Sequence, residues 1–582
     1  MSYQAGRPLL LMDAAWRLGP RPVALAAWHR SPFGRALLRR ALADVPDQAE
    51  LGALWPAAAP AAPALPAAHA AAVLAAAAQA APRPWHGPFP PQVPAARLNL
   101  FASGDVRPVW EANRWAELPL LAQAQRLAPG AGHGARAAAL LADWCRHNPA
   151  FRGPNWACGQ EAALRALHLC LALALLGAPP PAGARALLAL HARRIGAAPG
   201  YAMAQDNNHP VSEAAGLLGI GLALGDAALA RRGAARLNRH VLRLVGPDGA
   251  FAQLSTGYHR LLLDVVAVAE WLARRQGAPG LSPATRQRMA AATGLLWRLT
   301  DAATGAAPRL GHQDGSAFAD LALAGPDDAR PSLERATRLF CGHGGGFGPE
   351  AGCDWLGLQP LQTGGFIRAG RWRNEGLEGW ATEAARGVLR VGPLRFRPGH
   401  ADLLHFDLAD RHGALLRDGG SGAYNPGAGR EWWLDLLTGT AGHNTIGFDG
   451  EDQMPRVSRF LFARWPAGGR LADGGWVRDA RRRRHERRVS VQGRVWQVED
   501  RVAGRFATLA LRWRLAPGEW RVTEDGVVGP RARLVISCDA PLALALEQGW
   551  ESLAYGEISA VPVLVARTAA PVSRLLTVVT LF

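Results

Sequence analysis

A polar segment just before a predicted helix carries residue types suited to binding a carboxylate. It spans residues 205–213 and contains Asn207, Asn208 and His209. A proline follows the histidine and suits a first helical turn, and helix N-termini attract anions. An asparagine amide there could donate to a carboxylate, and Glu213 lies four residues after His209, on the same helix face. The alternative is an Asn/His-capped turn with no chemical role.

A second polar segment opens another predicted helix with Tyr258, His259 and Arg260. The chain has only five tyrosines, so one beside a histidine and an arginine at a loop–helix junction is noticeable. An arginine neighbour lowers the pKa of a phenol, which would make Tyr258 a better proton shuttle. The alternative is a surface tyrosine with a basic neighbour.

Histidines and aspartates in the strand-rich half have the types needed for a nitrogen- and oxygen-ligated zinc ion. The candidates on separate predicted strands or their loops are His400, Asp402, His405, Asp418 and His443, and two histidines with one aspartate are a zinc-type ligand set. Asp402 or Asn444 could orient the histidine ligands. The metal-free alternative stays open, because scattered His and Asp residues are common.

A fourth cluster combines Asn155 and Trp156 with Glu161 and Arg165. An aromatic side chain beside a carbohydrate site would stack on a sugar ring. The spacing of Glu161 and Arg165 is also that of an ordinary surface salt bridge on a helix, which is the simpler interpretation.

The hydrophobic pattern predicts helices first and strands afterwards. Apolar residues recur at helical spacing between about 100 and 345, as in 136–145, 160–176, 184–195, 211–224, 261–274 and 282–299. Repeated helical hairpins of this length predict an α/α toroid or solenoid. Short strand-like runs begin at 366–369 and continue to 575–580, predicting antiparallel sheets. We divide the chain into an N-terminal helical and Ala/Pro-rich segment (1–98), a helical domain (99–348) and an antiparallel β domain (349–582).

The composition favours an anionic partner. The net charge is +18 and no lysine occurs, so all 65 basic residues are arginines, which bind carboxylates and sulfates in bidentate fashion. The densest basic run, 481–488, is either a solvated strand edge or a rail for a polyanion. Nucleic-acid binding is disfavoured, because no nucleic-acid-binding motif is present. The N-terminus lacks the pattern of a secretory signal and no transmembrane stretch is evident, which predicts a cytoplasmic location, with the periplasm as the alternative.

Taken in order, these clusters resemble the heparinase II/III family of polysaccharide lyases and the related alginate lyases. The resemblance runs from about 100 to 460. The segments that carry it are 109–114 (VWEANR), 153–156 (GPNW), 207–209 (NNH), 257–259 (GYH), 311–315 (GHQDG), 400–403 (HADL), 418–420 (DGG) and 443–445 (HNT). It implies an α+β multidomain protein, an N-terminal (α/α) toroid followed by a C-terminal antiparallel β-sandwich, with the active cleft between them.

The resemblance also implies the chemistry, which is β-elimination at a uronic acid of an acidic polysaccharide. It gives Asn208 the role of neutralising the carboxylate, Tyr258 that of base, acid or both, and His209 that of base for one C5 epimer. A structural zinc would be held by His400, Asp418 and His443. The substrate-binding residues expected around them are Asn155, Trp156, Glu161, Arg165, Asn207, Glu213, His259, Arg260, Arg397 and His405.

One position departs from the family. Some members carry a catalytic histidine two residues before the first metal-site histidine, where this chain has Pro398. Either His400, His405 or Arg397 supplies that function, or the site works with fewer groups, and His400 could then be catalytic instead of a ligand. The rival functions are a glycosidase, which needs two carboxylates flanking the bond, and an inactive carbohydrate-binding protein of a bacterial exopolysaccharide pathway. Heparan-type glycosaminoglycans, alginate, hyaluronate-like polymers and exopolysaccharides all remain possible substrates.

Overall fold

The structure is a computed structural model that describes residues 7–43 and 51–582. In the described residues every α-helix except α17 precedes the first strand, which confirms the predicted order. The helices are α1 (Arg7–Leu18), α2 (Pro20–Arg30), α3 (Pro32–Ala41), α4 (Ala67–Ala78), α5 (Arg107–Ala112), α6 (Glu117–Leu127), α7 (His133–His147), α8 (Gly159–Leu176), α9 (Ala182–Ala197), α10 (Pro199–Gln205), α11 (Asn208–Leu224), α12 (Ala227–Leu244), α13 (Thr256–Arg275), α14 (Pro283–Leu299), α15 (Arg330–Ala336), α16 (Ala351–Trp355) and α17 (Trp432–Leu437).

The helical domain is built around helices that are apolar on nearly all sides. α8, α11 and α13 are buried along most of their length, as expected for helices at the centre of a packed domain. Among the described residues, α8 is the one helix long and apolar enough to cross a membrane, and 94% of that stretch is buried inside the protein. Packing therefore accounts for its hydrophobicity.

The Ala/Pro-rich part of the predicted N-terminal segment packs into the helical domain. Trp55, Val73 and Trp85 are buried in the same apolar core as α6 and α8. Burying such large apolar surfaces stabilises the domain. Residues 55–85 are thus an integral layer of the helical domain, whereas residues 1–6 and 44–50 of the N-terminal segment lie outside the described residues.

The strands follow from residue 370 and pair antiparallel. They are β1 (Gly370–Asn374), β2 (Gly376–Ala381), β3 (Ala385–Gly392), β4 (Phe406–Asp410), β5 (Gly413–Leu416), β6 (Ile446–Phe448), β7 (Arg456–Ser458), β8 (Leu461–Phe462), β9 (Ala467–Leu471), β10 (Gly474–Arg478), β11 (Arg484–Gln492), β12 (Val495–Ala503), β13 (Thr508–Arg514), β14 (Arg521–Val522), β15 (Gly526–Val528), β16 (Ala532–Cys538), β17 (Ala543–Glu551), β18 (Ser559–Ala569) and β19 (Arg574–Leu581).

These strands form four sheets. β1 to β5 make a five-stranded sheet in sequential order, eight strands pair in the order β14-β15-β16-β19-β12-β11-β10-β9, four pair as β17-β18-β13-β6, and β7 and β8 form a hairpin. Phe406, Trp496 and Trp513 meet in the core between the larger sheets, with ring centroids 6.1 and 6.5 Å from that of Phe406. This apolar core fixes the sheets that carry the loops described below.

Two details of the predicted strand half are wrong. Residues 366–369 form no strand, since the first strand begins at Gly370. The basic run 481–488 is not a strand edge, because β11 lies inside the eight-stranded sheet, between β12 and β10, and no residue of the run lines the cavity between the two domains. Arg487 within it is fully buried and pairs with Asp500 at 2.7 Å.

Candidate functional site

A cavity of about 460 Å³ lies between the helical domain and the strand domain. Its size is that of a small-ligand pocket. The residues that line it include, from the helical domain, Asn208, His209, Tyr258 and His312 and, from the strand domain, Arg397, His400 and Tyr424. The structure therefore gathers the residues predicted to be catalytic, Asn208, His209, Tyr258 and His400, around one space.

The first turn of α11 presents Asn208 and His209 to this cavity. Asn207 caps the helix, its side chain accepting a hydrogen bond from the backbone N–H of His209 at 3.0 Å, which fixes the turn. The Asn208 Nδ2 donates to Oε1 of Gln160 at 2.8 Å, so one of its two N–H bonds is held and orients the amide. Burial lowers the pKa of His209 to about 4, and its imidazole is neutral near pH 7.

The first turn of α13 presents Tyr258. Ser255 caps this helix by accepting from the backbone N–H of Tyr258 at 3.1 Å, and its own hydroxyl donates to the carbonyl of His312 at 2.5 Å. The Tyr258 hydroxyl donates to Oδ2 of Asp314 at 2.6 Å and lies 3.1 Å from the hydroxyl of Tyr424. The phenol is therefore anchored from both domains.

The charge beside the phenol is negative, and the predicted effect of Arg260 is wrong. Burial raises the pKa of Tyr258 well above its ordinary value, and the charge of Asp314 raises it further. Asp314 is ionised because the Arg107 guanidinium, 2.8 Å away, holds its pKa below its usual range despite burial. Tyr258 thus carries its proton at neutral pH.

Two residues predicted to bind substrate beside Tyr258 point away from the cavity. His259 is buried, with Nε2 2.8 Å from the carbonyl oxygen of Ala292. Arg260 is buried and donates to Ser332 at 2.9 Å and to the carbonyl of Pro326 at 2.5 Å. Successive helical residues point about 100° apart, so neighbours of a cavity-facing tyrosine on α13 face the core. Both assignments are corrected to structural ones.

The fourth predicted cluster is also structural in most of its members. Trp156 is fully buried, and Arg165 lies among Trp115, Trp144 and Trp156, 5.1–5.8 Å from their ring centroids. A buried tryptophan of this kind is not available to stack on a sugar. Arg165 donates to the carbonyl of Asn155 at 2.5 Å instead of pairing with Glu161.

The side chains of Asn155 and Glu161 are committed to protein partners. Asn155 is buried and donates to the carbonyl of Trp85 and to Asn148. Glu161 lines the cavity, yet both its oxygens accept from Arg114, at 2.7 and 2.8 Å. The predicted helix salt bridge is therefore replaced by one between α8 and the segment after α5. Only Glu161 of this cluster borders the cavity.

Glu213 lies behind the site. It is buried one turn into α11 and is absent from the cavity lining, whereas Asn207 does line it. Burial raises the pKa of Glu213 to about 8, against the opposing charges of Arg194 and Arg236. Its predicted contact with substrate is corrected, since the side chain faces Gly159 of α8.

The predicted metal ligands come together from three loops. His400 follows β3, Asp418 follows β5 and His443 precedes β6, and one ligand atom of each lies within 4.8 Å of those of the others. All three are buried, and Nδ1 of His400 and Nε2 of His443 have no hydrogen-bond partner among the described residues. Unpaired buried imidazole nitrogens around a carboxylate fit a cation.

Of the two predicted substrate-binding residues near this cluster, Arg397 lines the cavity and His405 does not. His405 does not line the cavity; its Nδ1 accepts from the backbone of Asn444, and its Nε2 lies 3.9 Å from Asp418 with no hydrogen bond. The prediction that His405 contacts substrate is therefore corrected. Arg397 does line the cavity, and His400 belongs to both the cavity wall and the metal-type cluster.

Two residues of the site, Tyr424 and Arg107, were not singled out from the sequence, and His312 and Asp314 appeared there without an assigned role, in the segment 311–315. Tyr424 and His312 line the cavity, and Arg107 and Asp314 set the charge around Tyr258. The His312 ring lies 5.1 Å from His400 and 5.3 Å from Tyr424, and its Nδ1 has no partner among the described residues. The scarcity of tyrosine was the available signal, because Tyr201, Tyr258 and Tyr424 all border the cavity.

Comparisons with known proteins agree with this architecture. Residues 369–572 match the family model described as heparinase II/III-like, C-terminal. A crystal structure of heparinase III superposes with a TM-score of 0.64 at 13% identity, over 99% of this chain and 93% of that one. The crystal structure of heparan sulfate lyase HepC from Pedobacter heparinus superposes with a TM-score of 0.53 at 18% identity, over 100% of this chain and 91% of that one.

A further heparinase III gene product superposes with a TM-score of 0.58 at 15% identity, covering 100% of this chain and 93% of that one. No curated protein matches the chain by sequence. The fold class predicted from the motifs, a toroid followed by antiparallel β-sheets, is confirmed by these superpositions. The strand domain of this chain therefore matches the heparinase II/III-like C-terminal model, and the chain as a whole has the fold of heparinase III.

Proposed function

We propose that the protein is a polysaccharide lyase that cleaves a uronic-acid-containing polymer by β-elimination and leaves an unsaturated uronate at the new end. The observation that carries this proposal is that an amide, Asn208, a neutral imidazole, His209, and a protonated phenol, Tyr258, line one cavity. Elimination needs these three capacities. The carboxylate must be neutralised, the C5 proton accepted and the leaving oxygen protonated.

The charge states divide the proton transfers between two residues. His209 is neutral at pH 7 and can accept the C5 proton. Tyr258 keeps its proton, so it donates to the glycosidic oxygen as the C–O bond breaks. Tyr424, whose hydroxyl is 3.1 Å away, stabilises the phenolate that this donation leaves. The free N–H of the Asn208 amide donates to the uronate carboxylate, where charge develops.

The carboxylates around the cavity favour elimination over hydrolysis. A glycosidase needs one acidic side chain free to donate a proton and another free to act as base or nucleophile. Here each acidic residue of the lining forms an ion pair with an arginine or a hydrogen bond with a tyrosine. The pairs are Asp105–Tyr555, Glu161–Arg114, Asp206–Arg243, Asp314–Arg107, Glu375–Arg395 and Asp402–Arg390.

We propose zinc for the cluster of His400, Asp418 and His443. Two imidazoles and a carboxylate are a zinc-type ligand set, and the unpaired nitrogens of His400 and His443 are the donors it would use. Bound there, zinc would tie the loops after β3 and β5 to the start of β6. Its role would be to hold the strand-domain wall of the cavity, to which His400 belongs.

The test is an absorbance assay on a panel of acidic polymers, namely heparan sulfate, alginate, hyaluronate and bacterial uronate exopolysaccharides. Elimination creates a conjugated uronate that absorbs in the ultraviolet, and we expect that absorbance to rise with at least one polymer. New reducing ends without absorbance would show hydrolysis. Binding without either product would support the alternative of an inactive exopolysaccharide-binding protein.

A further inference from the structure

The N-terminal helices α1 and α2 bridge the two walls of the cavity. On the strand side, Leu10 and Ala14 of α1 are buried against Ala463, with Val457 of β7 beside them. Arg17 donates to the carbonyl of Trp465 at 3.0 Å. One end of this helical pair is therefore fixed to the β7–β8 hairpin, whose turn residues line the cavity.

The other end of the pair is fixed to the helical domain. α2 packs along α10, and the His29 ring lies 4.6 Å from that of Tyr201. Ala26 and Arg30 of α2 line the cavity together with Tyr201. A single segment, Arg7–Arg30, thus runs from one wall to the other and contributes to the lining.

Two arginines at this end of the cavity lack partners of their own. Arg30 and Arg397 both line the cavity, and within the described ranges 7–43 and 51–582 neither forms an ion pair or a side-chain hydrogen bond. By contrast, Arg107, Arg114 and Arg395 of the same lining are each paired with a carboxylate. Burial lowers the pKa of Arg397; Tyr201 and Asp206 oppose that shift, whereas the charge of Arg30 adds to it, so the two guanidinium groups repel each other. An anion bound between them would relieve that repulsion.

We propose that α1 and α2 close one end of the cleft, so that the enzyme acts from a chain end, and that Arg30 and Arg397 bind an anionic group of the terminal sugar. The group is a carboxylate or a sulfate ester, both of which match the guanidinium fork. This inference rests on the proposed lyase function and deepens it. A polymer crossing an open cleft needs both ends of the cavity unobstructed, whereas here α2 contributes Ala26 and Arg30 to the lining between the two walls.

The product sizes test the closed end. With a polymer cleaved in the absorbance assay, we expect one short product from the earliest time point and a slow fall in viscosity. The double variant Leu10→Asp/Ala14→Asp places charges in the contact with Ala463 and should broaden the product sizes. Met12→Asp is the matched control, because Met12 is 68% exposed on the same helix, and it should keep the single product. A ladder of long products from the wild type overturns the proposal.

Binding tests the anionic subsite independently of turnover. Calorimetric titration with an alginate tetrasaccharide and with a sulfated heparin tetrasaccharide separates a carboxylate from a sulfate. Arg30→Ala should weaken binding of at least one of them roughly tenfold, since a charge-assisted contact is lost. Arg35→Ala removes the same charge from an exposed position outside the lining and should bind like the wild type. Equal affinities for Arg30→Ala and Arg35→Ala with both probes overturn the subsite. Absence of any cleavage would count against the lyase function alone.

Discussion

The hydroxyl of Tyr258 donates to the carboxylate of Asp314 at 2.6 Å, and Arg107 holds that carboxylate in turn at 2.8 Å. This chain of contacts fixes the phenol in position and keeps it protonated, because a neighbouring negative charge disfavours the phenolate. Tyr258 and Asp314 both come from the helical domain, and Tyr424 approaches from the strand domain. The proton donor is therefore set by charge and oriented by both halves of the protein.

Tyr258→Phe removes the phenolic hydroxyl and with it the proton that would be transferred. We expect kcat to fall by roughly 100-fold or more, the range for loss of a general acid, with glycan affinity and thermal stability nearly unchanged. Steady-state kinetics with the cleaved polymer, beside calorimetric binding and a melting curve, make the check. Near-normal turnover in this variant would remove Tyr258 from the mechanism.

Asn208→Ala removes the donor to the uronate carboxylate. By analogy with the loss of one oxyanion donor, the barrier should rise by about 2.7–4 kcal/mol. Asn208→Asp should be at least as damaging and should also raise KM, because its carboxylate repels that of the substrate. If the Asp variant retained more activity than the Ala variant, the amide would not be the carboxylate's partner.

The pH profile should report His209. Its pKa is lowered to about 4, and a general base works only when neutral, so kcat/KM should stay level from neutral pH downwards and fall as the pH drops through about 4. The test is kcat/KM measured across pH 3.5 to 8 in buffers of equal ionic strength. An acid limb centred near the ordinary histidine pKa would contradict the assignment.

Glu213 should make the fold less stable as pH rises. The pKa of Glu213 in the folded chain is about 8, above the ordinary 4.5, so the folded chain holds the carboxyl proton more tightly than the unfolded chain. The stability gained from this proton is complete below the unfolded pKa and is lost as the pH rises through about 8. Denaturant unfolding should show that the free energy of unfolding falls less between pH 5 and pH 8 in Glu213→Gln than in the wild type. Equal losses in the two proteins would mean that Glu213 is ionised in the folded state.

Metal binding should stabilise the strand domain. Added zinc should raise the melting temperature, a chelator should lower it, and metal analysis should find about one ion per chain. His443→Ala should abolish this response, whereas His412→Ala, an exposed histidine outside the cluster, should preserve it. A wild type that melts identically with zinc and with chelator would exclude the site.

Local patterns predicted the helices well, because long stretches such as 160–176 and 282–299 have strong apolar periodicity. They also placed Asn208 and Tyr258, since each stands at a capped helix start. Partners distant in sequence were not predictable in this way. Tyr424 reaches Tyr258 across 166 residues, and no local rule connects them.

The wrong assignments of arginine residues share one physical cause. Arg165, Arg260 and Arg487 were interpreted by residue type as surface or substrate-binding charges, yet all three are buried. Buried guanidinium groups are tolerated when carbonyls, carboxylates or aromatic faces surround them, and only the packed structure shows which arginines have such surroundings. In a chain whose basic residues are all arginine, charge alone is a poor guide to the site.

Ser255 caps the helix that carries Tyr258, and its hydroxyl also donates to the backbone carbonyl of His312. The next residue of that loop, Gln313, donates its backbone N–H to Ser421 of the strand domain. The Ser255 hydroxyl thus links the contact between the two domains to the position of Tyr258. Separately produced halves, even if each folded, would lack this restraint. Turnover should then return only when the halves are mixed, at a rate that depends on their concentrations.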